Sequence, residues 1–195
     1  MKRAILVVAL AACTATRSAR TLPVGKTEVS VGVGHATLLG EDELAFDVGD
    51  WTGHAAVRHG FNDHLELGAH FVHTPGTRGL GAIGIDSKFQ LVRDERMALA
   101  FGAPGSLVFI ETDETHVESA ILIPSLYFSV DLSPSVELVA NARYILATDY
   151  DGGFGASLGT RFTDGDSWVA QPEAGVLRLD DRTYITLGMT IAVGH

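Results

Sequence analysis

The fold is decided by stretches such as His64-Leu-Glu-Leu-Gly-Ala-His-Phe71 and Val136-Glu-Leu-Val-Ala-Asn-Ala-Arg-Tyr-Ile-Leu146, in which apolar and polar side chains alternate. Consecutive side chains of a strand point to opposite faces of the sheet, so this alternation indicates strands with one apolar and one polar face. The pattern recurs from Glu28 to the C-terminus, and residues that favour turns separate one stretch from the next. The sequence therefore predicts an all-β fold.

The segments between the turns define the predicted strands. They cover residues 28–38, 51–61, 64–74, 80–92, 97–110, 119–132, 136–147, 154–162, 167–178 and 184–194. Tight turns rich in Asn, Asp, Ser and Gly alternate with longer connections, as in bacterial outer-membrane barrels. Strands of ~9–11 residues are long enough to cross a bilayer when tilted. We expect an antiparallel up-and-down transmembrane β-barrel of about ten strands, and eight or twelve are also compatible with the pattern.

The N-terminus carries an export signal. Met1-Lys2-Arg3 is followed by a short apolar run and then by Cys13, the only cysteine of the chain. A basic start, a short apolar run and small residues are typical of a secretory signal peptide. The stretch Leu10-Ala-Ala-Cys13 also resembles a bacterial lipobox, which predicts lipidation of Cys13; the alternative is plain cleavage after Ala15 or Ala19. The predicted organisation is a signal peptide over 1–12, a flexible tether over 13–27 and a barrel over 28–195.

Charge excludes one class of partner. Lys and Arg together number 14 against 24 Asp and Glu, and removal of residues 1–12 takes away Lys2 and Arg3, which leaves 12 cations and a net charge of −12. Nucleic acid is bound through clustered Lys and Arg, so this acidic chain is not expected to bind it. We expect outer-membrane lipid as the surrounding partner and no cofactor or metal; a protein partner at the extracellular loops or in the periplasm stays open.

Alternation alone does not say whether the apolar face points inward or outward. Aromatic residues lie near strand ends on the apolar face, as in the girdles at bilayer interfaces. The polar face carries both signs of charge, and a narrow interior tolerates charge only when it is compensated. Both observations favour lipid outside and a polar lumen inside. The predicted lumen cluster is Arg58, His64, Glu66, His70, Asp86, Lys88, Tyr127, Asp131, Glu137, Arg143, Arg161 and Glu173.

Three stretches carry a family resemblance: Leu22 to Gly34, Val57 to Gly68 and Ile85 to Leu91. The first resembles the first strand of small bacterial outer-membrane barrel proteins, and the other two resemble their strand–turn–strand repeats. The resemblance covers residues 22–195 and implies the bacterial outer membrane as location. It is a pattern of strands and turns and carries no catalytic signature.

Two motifs match catalytic or cofactor signatures by letter only. Gly79-Leu-Gly-Ala-Ile-Gly84 has the spacing of a dinucleotide fingerprint, and Gly155-Ala-Ser-Leu-Gly159 has that of a nucleophile elbow. Both signatures require a turn from a strand into a helix, whereas strands follow here. We therefore predict no dinucleotide site and no hydrolase elbow at these positions.

The sequence leaves three functions open. A barrel of this size has an interior mostly filled by side chains, so we expect a structural or interaction protein or a narrow pore. Histidines beside a carboxylate on one strand, His64, Glu66 and His70, also fit a membrane-embedded lipid hydrolase similar to lipid A deacylases, in which histidine activates a serine. The third possibility is a soluble periplasmic, lipocalin-like ligand-binding barrel. The protein is more readily interpreted as a non-enzyme.

Overall fold

The computed structural model describes residues 17–39, 51–74, 80–111, 115–148, 150–164, 167–179 and 182–194. The predicted signal peptide and Cys13 lie outside these residues. The strands are β1 (Thr27–Leu38), β2 (Trp51–Gly60), β3 (Leu65–Thr74), β4 (Leu80–Arg93), β5 (Met97–Gly102), β6 (Gly105–Glu111), β7 (Thr115–Leu122), β8 (Ser125–Ser133), β9 (Val136–Ala147), β10 (Tyr150–Thr163), β11 (Trp168–Leu179) and β12 (Arg182–Val193). None of the described residues belongs to a helix long and apolar enough to cross a membrane.

The strands form one closed antiparallel barrel. β12 pairs with β1 from Val29↔Val193 to Leu38↔Tyr184, which closes the ring. Twelve strands occupy ten positions around it, because β5 and β6 follow one another along β4, and β7 and β8 follow one another along β9. The predicted all-β barrel of ten strands is confirmed.

At each of the two positions that two strands share, a proline separates one strand from the next. Pro104 separates β5 from β6, and Pro124 separates β7 from β8. The Ile123 N–H donates to the Pro104 carbonyl (2.9 Å), but the reciprocal bond of an antiparallel pair would need an N–H that proline lacks. The Ser125 hydroxyl donates to the Ile123 carbonyl instead (2.9 Å). The barrel wall therefore continues across the prolines, and only the regular pairing of backbone hydrogen bonds is interrupted there.

The apolar face of the barrel points outward. Val31, Ile85 and Leu158 are each at least half exposed on different strands, and many other large apolar residues share this face. Phe61, Phe162 and Trp168 are exposed near the end that carries the short turns. An apolar band with aromatic residues at its edge is the lipid-facing surface of a transmembrane barrel. The predicted outward orientation of the apolar face is therefore confirmed.

The inward face changes character along the barrel axis. Toward the short turns it is polar, and on β4 it carries Asp86, Lys88 and Gln90. Toward the long loops it is mostly apolar, with some buried polar side chains such as Thr52, Thr74 and Ser119 among the apolar ones. The apolar side chains of this half are Ala36, Val72, Leu80, Ala82, Val108, Ile121, Ile123, Ile145, Leu177, Leu179 and Tyr184. The lumen thus has a polar half beside the chain termini and an apolar half beside the long loops.

Candidate functional site in the lumen

The polar half of the lumen contains the chain's own N-terminal segment, residues 17–22. Arg17, Ser18, Ala19, Thr21 and Leu22 are buried, although the sequence predicted only a tether there. From β1 at the barrel rim the segment extends inward, and Arg17 reaches the cavity wall nearest the apolar half. Ala19 packs against apolar side chains of the wall and is fully buried. No alternation of apolar and polar residues marks this segment in the sequence as part of the lumen.

Charge-assisted bonds hold the segment in place. The Arg17 guanidinium donates to the Asp86 carboxylate, and the Ser18 hydroxyl donates to Glu137 Oε1 (2.7 Å). Arg20 Nη2 donates to Asp131 Oδ2 at 2.6 Å, close to the short-turn end. Such bonds are roughly twice as strong as those between neutral groups.

The backbone of the segment is also bound. Lys88 Nζ donates to the carbonyls of Ser18 (3.1 Å) and Arg20 (2.8 Å). The backbone N–H of Thr21 donates to Gln90 Oε1 (2.9 Å), and that of Leu22 donates to Glu66 Oε2 (3.1 Å). A segment without secondary structure can be buried because lumen side chains replace its hydrogen bonds to water.

The lumen wall adds its own ion pairs. Lys88 Nζ lies 3.0 Å from Glu66 Oε2, and Arg58 Nη1 lies 2.9 Å from Glu28 Oε1. Arg161 reaches both Glu28 (3.8 Å) and Glu137 (3.4 Å). These contacts link β1, β2, β3, β4, β9 and β10 across the interior. Every one of these charges has an opposite partner, as burial requires.

The predicted lumen residues lie on the inward face, with the exception of His64. Arg58, Glu66, Asp86, Lys88, Tyr127, Glu137, Arg143 and Glu173 are buried on the inward face, and His70, Asp131 and Arg161 are partly buried there. His64 does not lie on the inward face. It precedes β3, which begins at Leu65, and the alternation of inward and outward side chains does not extend into the turn. It is exposed, and its Nδ1 lies 3.2 Å from the Gln90 carbonyl oxygen. Glu28 belongs to the same ion-pair network and was missed.

Two cavities lie in the part of the lumen next to the segment. A cavity of about 200 Å³ lies between it and the wall, lined by Arg17, Glu28, Arg58, Glu66 and Lys88 among others. A separate cavity of about 30 Å³ lies deeper, at the boundary with the apolar half. No group of three or more His, Cys, Asp or Glu suited to a metal ion occurs within the described ranges.

The comparisons with known proteins agree with this geometry at the level of fold. An outer-membrane channel from Pseudomonas putida F1 is similar at a TM-score of 0.57 and 11% identity, with 90% of this chain and 97% of that chain covered. A bacterial polysaccharide outer-membrane secretin is similar at 0.53 and 12% identity, with 86% and 69% covered. The chain has the fold of bacterial outer-membrane β-barrel proteins. The KdgM porin is also similar, at 0.49 and 8% identity, with 83% and 97% covered.

Comparison of the sequence with protein families and with curated proteins finds no relative. No protein-family model matches the chain, and no curated protein matches it.

Proposed function

We propose that this chain is a narrow pore of the bacterial outer membrane whose lumen is closed at rest by its own N-terminal segment. The observation that carries the proposal is the insertion of residues 17–22 into the polar half of the lumen. The apolar band outside the barrel supports a location in a bilayer, and the short turns beside the termini support a periplasmic position for that end. Export by the N-terminal signal is part of the proposal.

The contacts of the segment support a movable gate. Carboxylates, a lysine and a glutamine of the lumen wall bind the segment, and water can solvate all of these groups once the segment leaves. The cavity of about 200 Å³ beside it also means that the barrel is wider than the segment requires. Withdrawal of the segment would join its own volume to this cavity, which supports a path for hydrated solute through the polar half.

Charge predicts the selectivity of the open state. Withdrawal of the segment removes Arg17 and Arg20 from the lumen. Among the described residues, the buried or partly buried charges that then remain on the inward face are four cations, Arg58, Lys88, Arg143 and Arg161, and six carboxylates, Glu28, Glu66, Asp86, Asp131, Glu137 and Glu173, a difference of −2. Carboxylates that line a pore favour cations. The apolar half is a second constriction, because apolar walls resist wetting, so we expect small conductance.

Conductance in planar bilayers tests the proposal. The full chain is expected to be closed, and a variant that lacks residues 17–22 behind the intact export signal is expected to show small, cation-selective openings. Arg96→Ala is the control, because Arg96 lies with Arg20 and Asp131 around the opening of the lumen at the short-turn end, and its side chain forms no ion pair with the described residues of the segment. A folded deletion variant that stays silent would contradict the gated pore and favour a structural or interaction role for a closed barrel.

A further inference from the structure

Three side chains of the lumen wall, His70, Asp86 and Ser106, form a hydrogen-bonded chain, and Asp86 also accepts a hydrogen bond from Arg17 of the N-terminal segment. His70 Nδ1 lies 2.8 Å from Asp86 Oδ1, and His70 Nε2 lies 2.7 Å from Ser106 Oγ. The Asp86 carboxylate can only accept, so His70 Nδ1–H donates to it, and in the imidazole that carries this one proton Nε2 is the acceptor for the Ser106 hydroxyl. A serine hydroxyl bonded to a histidine that a carboxylate orients is the arrangement of an activated nucleophile.

The strand register brings these residues together. His70 on β3 lies opposite Gly84 on β4, and Gly84 lies opposite Ser106 on β6. Asp86 follows two residues later on the same face of β4. A Cβ at position 84 would lie 2.6 Å from His70 Nε2, so only glycine leaves the imidazole room to reach across β4. The contact between histidine and serine thus depends on a missing side chain between them.

The surroundings of the three residues combine apolar surface with positive charge. All three line the cavity of about 30 Å³, together with Val72, Ile123 and Arg143. Arg143 is 4% exposed, its Nε has no hydrogen-bond partner, and its side chain forms no ion pair with any residue that the structure describes. A buried guanidinium without a carboxylate partner is costly to maintain and is suited to an anion or a developing oxyanion.

We propose that Ser106, His70 and Asp86 form a serine hydrolase site in the lumen wall, for carboxylic esters with an apolar acyl group. Val72 and Ile123 provide the apolar contacts for the acyl group, and Arg143 provides positive charge for the oxyanion. The proposal does not require the barrel to conduct ions, although access to the site and opening of the pore both need the N-terminal segment to move. The resting cavity has room for about one or two water molecules, so an ester enters only when Arg17, which forms part of the wall, moves aside.

The reaction balances with water as the only co-reactant. Ser106 Oγ bonds to the ester carbonyl carbon while its proton passes to His70 Nε2. The bond between that carbon and the ester oxygen then breaks, and the alcohol leaves with the proton from His70. Water attacks the acylated serine, again giving a proton to His70, and the carboxylic acid departs as Ser106 regains its hydrogen. Ser106 and His70 are catalytic residues, and Asp86 is a positioning residue that orients the imidazole.

Labelling with a small fluorophosphonate tests the site, because this probe modifies activated serines. We expect peptide mass spectrometry of the folded chain to find one adduct, on Ser106, formed faster when residues 17–22 are deleted. Ser106→Ala is expected to abolish the adduct, and His70→Asn to slow it by roughly a hundredfold or more. Ser125→Ala is the matched control, because Ser125 lines the same cavity but donates to a backbone carbonyl; it is expected to label as the parent does.

The labelling rates of Asp86 variants test whether Asp86 positions the His70 imidazole. Asp86→Asn is expected to slow labelling strongly, and Asp86→Glu is expected to restore part of the rate because a carboxylate is again available to His70 Nδ1. Heat-dependent gel mobility establishes that each variant is folded. No adduct on Ser106 in either the full or the segment-deleted chain would overturn the proposal, and so would an adduct that persists in folded Ser106→Ala. Conductance plays no part in these outcomes, so the failure of this site is distinguishable from the failure of the pore.

Discussion

Replacement of Lys88 by methionine is expected to lower the free energy of unfolding by about 3–5 kcal/mol, the cost of leaving a buried charge without its partner. The Lys88 ammonium is buried, lies 3.0 Å from Glu66 Oε2 and donates to two carbonyls of the N-terminal segment. Methionine keeps the volume but removes all three contacts. Urea unfolding of the protein in lipid vesicles measures the change.

Two further variants show whether the loss comes from the uncompensated carboxylate. Lys88→Met combined with Glu66→Gln is expected to recover much of the stability, because no unpaired charge then stays in the lumen. Lys26→Met is the matched control, since Lys26 is exposed in the turn before β1 and a surface substitution changes stability by roughly 0.5 kcal/mol or less. Equal effects of Lys88→Met and Lys26→Met would contradict the buried network.

Arginine in place of Leu158 is expected to destabilise the protein in a bilayer by about 2–4 kcal/mol, the range for a cation on the lipid face near the membrane centre. Leu158 lies in the middle of β10 and is 54% exposed. It is flanked by outward-facing Ala140 and Ala174 on the neighbouring strands. In a water-soluble barrel the same change would be nearly neutral. Unfolding in vesicles of defined thickness provides the measurement.

Val24→Arg is the matched control for that change. Val24 is an apolar residue of almost the same exposure, 58%, but it lies in the turn before β1 at the short-turn end. Since water or lipid headgroups surround that end, the same arginine is expected to change stability by less than about 0.5 kcal/mol. If both arginines are tolerated equally, the outward apolar face does not contact lipid.

The barrel could be predicted because its main signal is local. Period-two alternation identifies the two faces of each strand within ten residues, and it assigned both Leu158 and Lys88 to the correct side. Two predicted strands, 97–110 and 119–132, each contain a proline, and these prolines account for the twelve strands found at ten positions. The same parity extends to Val72 and Leu177, so the apolar half of the lumen was present in the pattern.

The N-terminal segment could not be found in the same way. It has no periodicity, and its partners are distant in sequence: Arg17 and Asp86 are 69 residues apart, and Ser18 and Glu137 are 119 apart. The only hint was charge, since the predicted lumen cluster held five carboxylates against four Lys and Arg side chains. This excess of one carboxylate indicates that a cation from outside the predicted strands completes the compensation of charge.

Ser106 was missed for a related reason. The sequence pointed to His70 and Glu66, which share one strand, as the basis of a hydrolase. The contacts of His70 instead lie on other strands, Asp86 on β4 and Ser106 on β6. Their positions depend on how three strands align, and alternation within each strand leaves that register undetermined.

Thiol accessibility shows whether residues 17–22 occupy the lumen. Ser18→Cys and Lys26→Cys variants of the folded protein are treated with a water-soluble maleimide. Cysteine at position 26 is exposed and is expected to react fast, whereas cysteine at position 18 is expected to be protected until urea unfolds the barrel, because Ser18 is buried against Glu137. Reaction of the two folded variants at the same rate would show that the segment lies outside the lumen and would contradict the account.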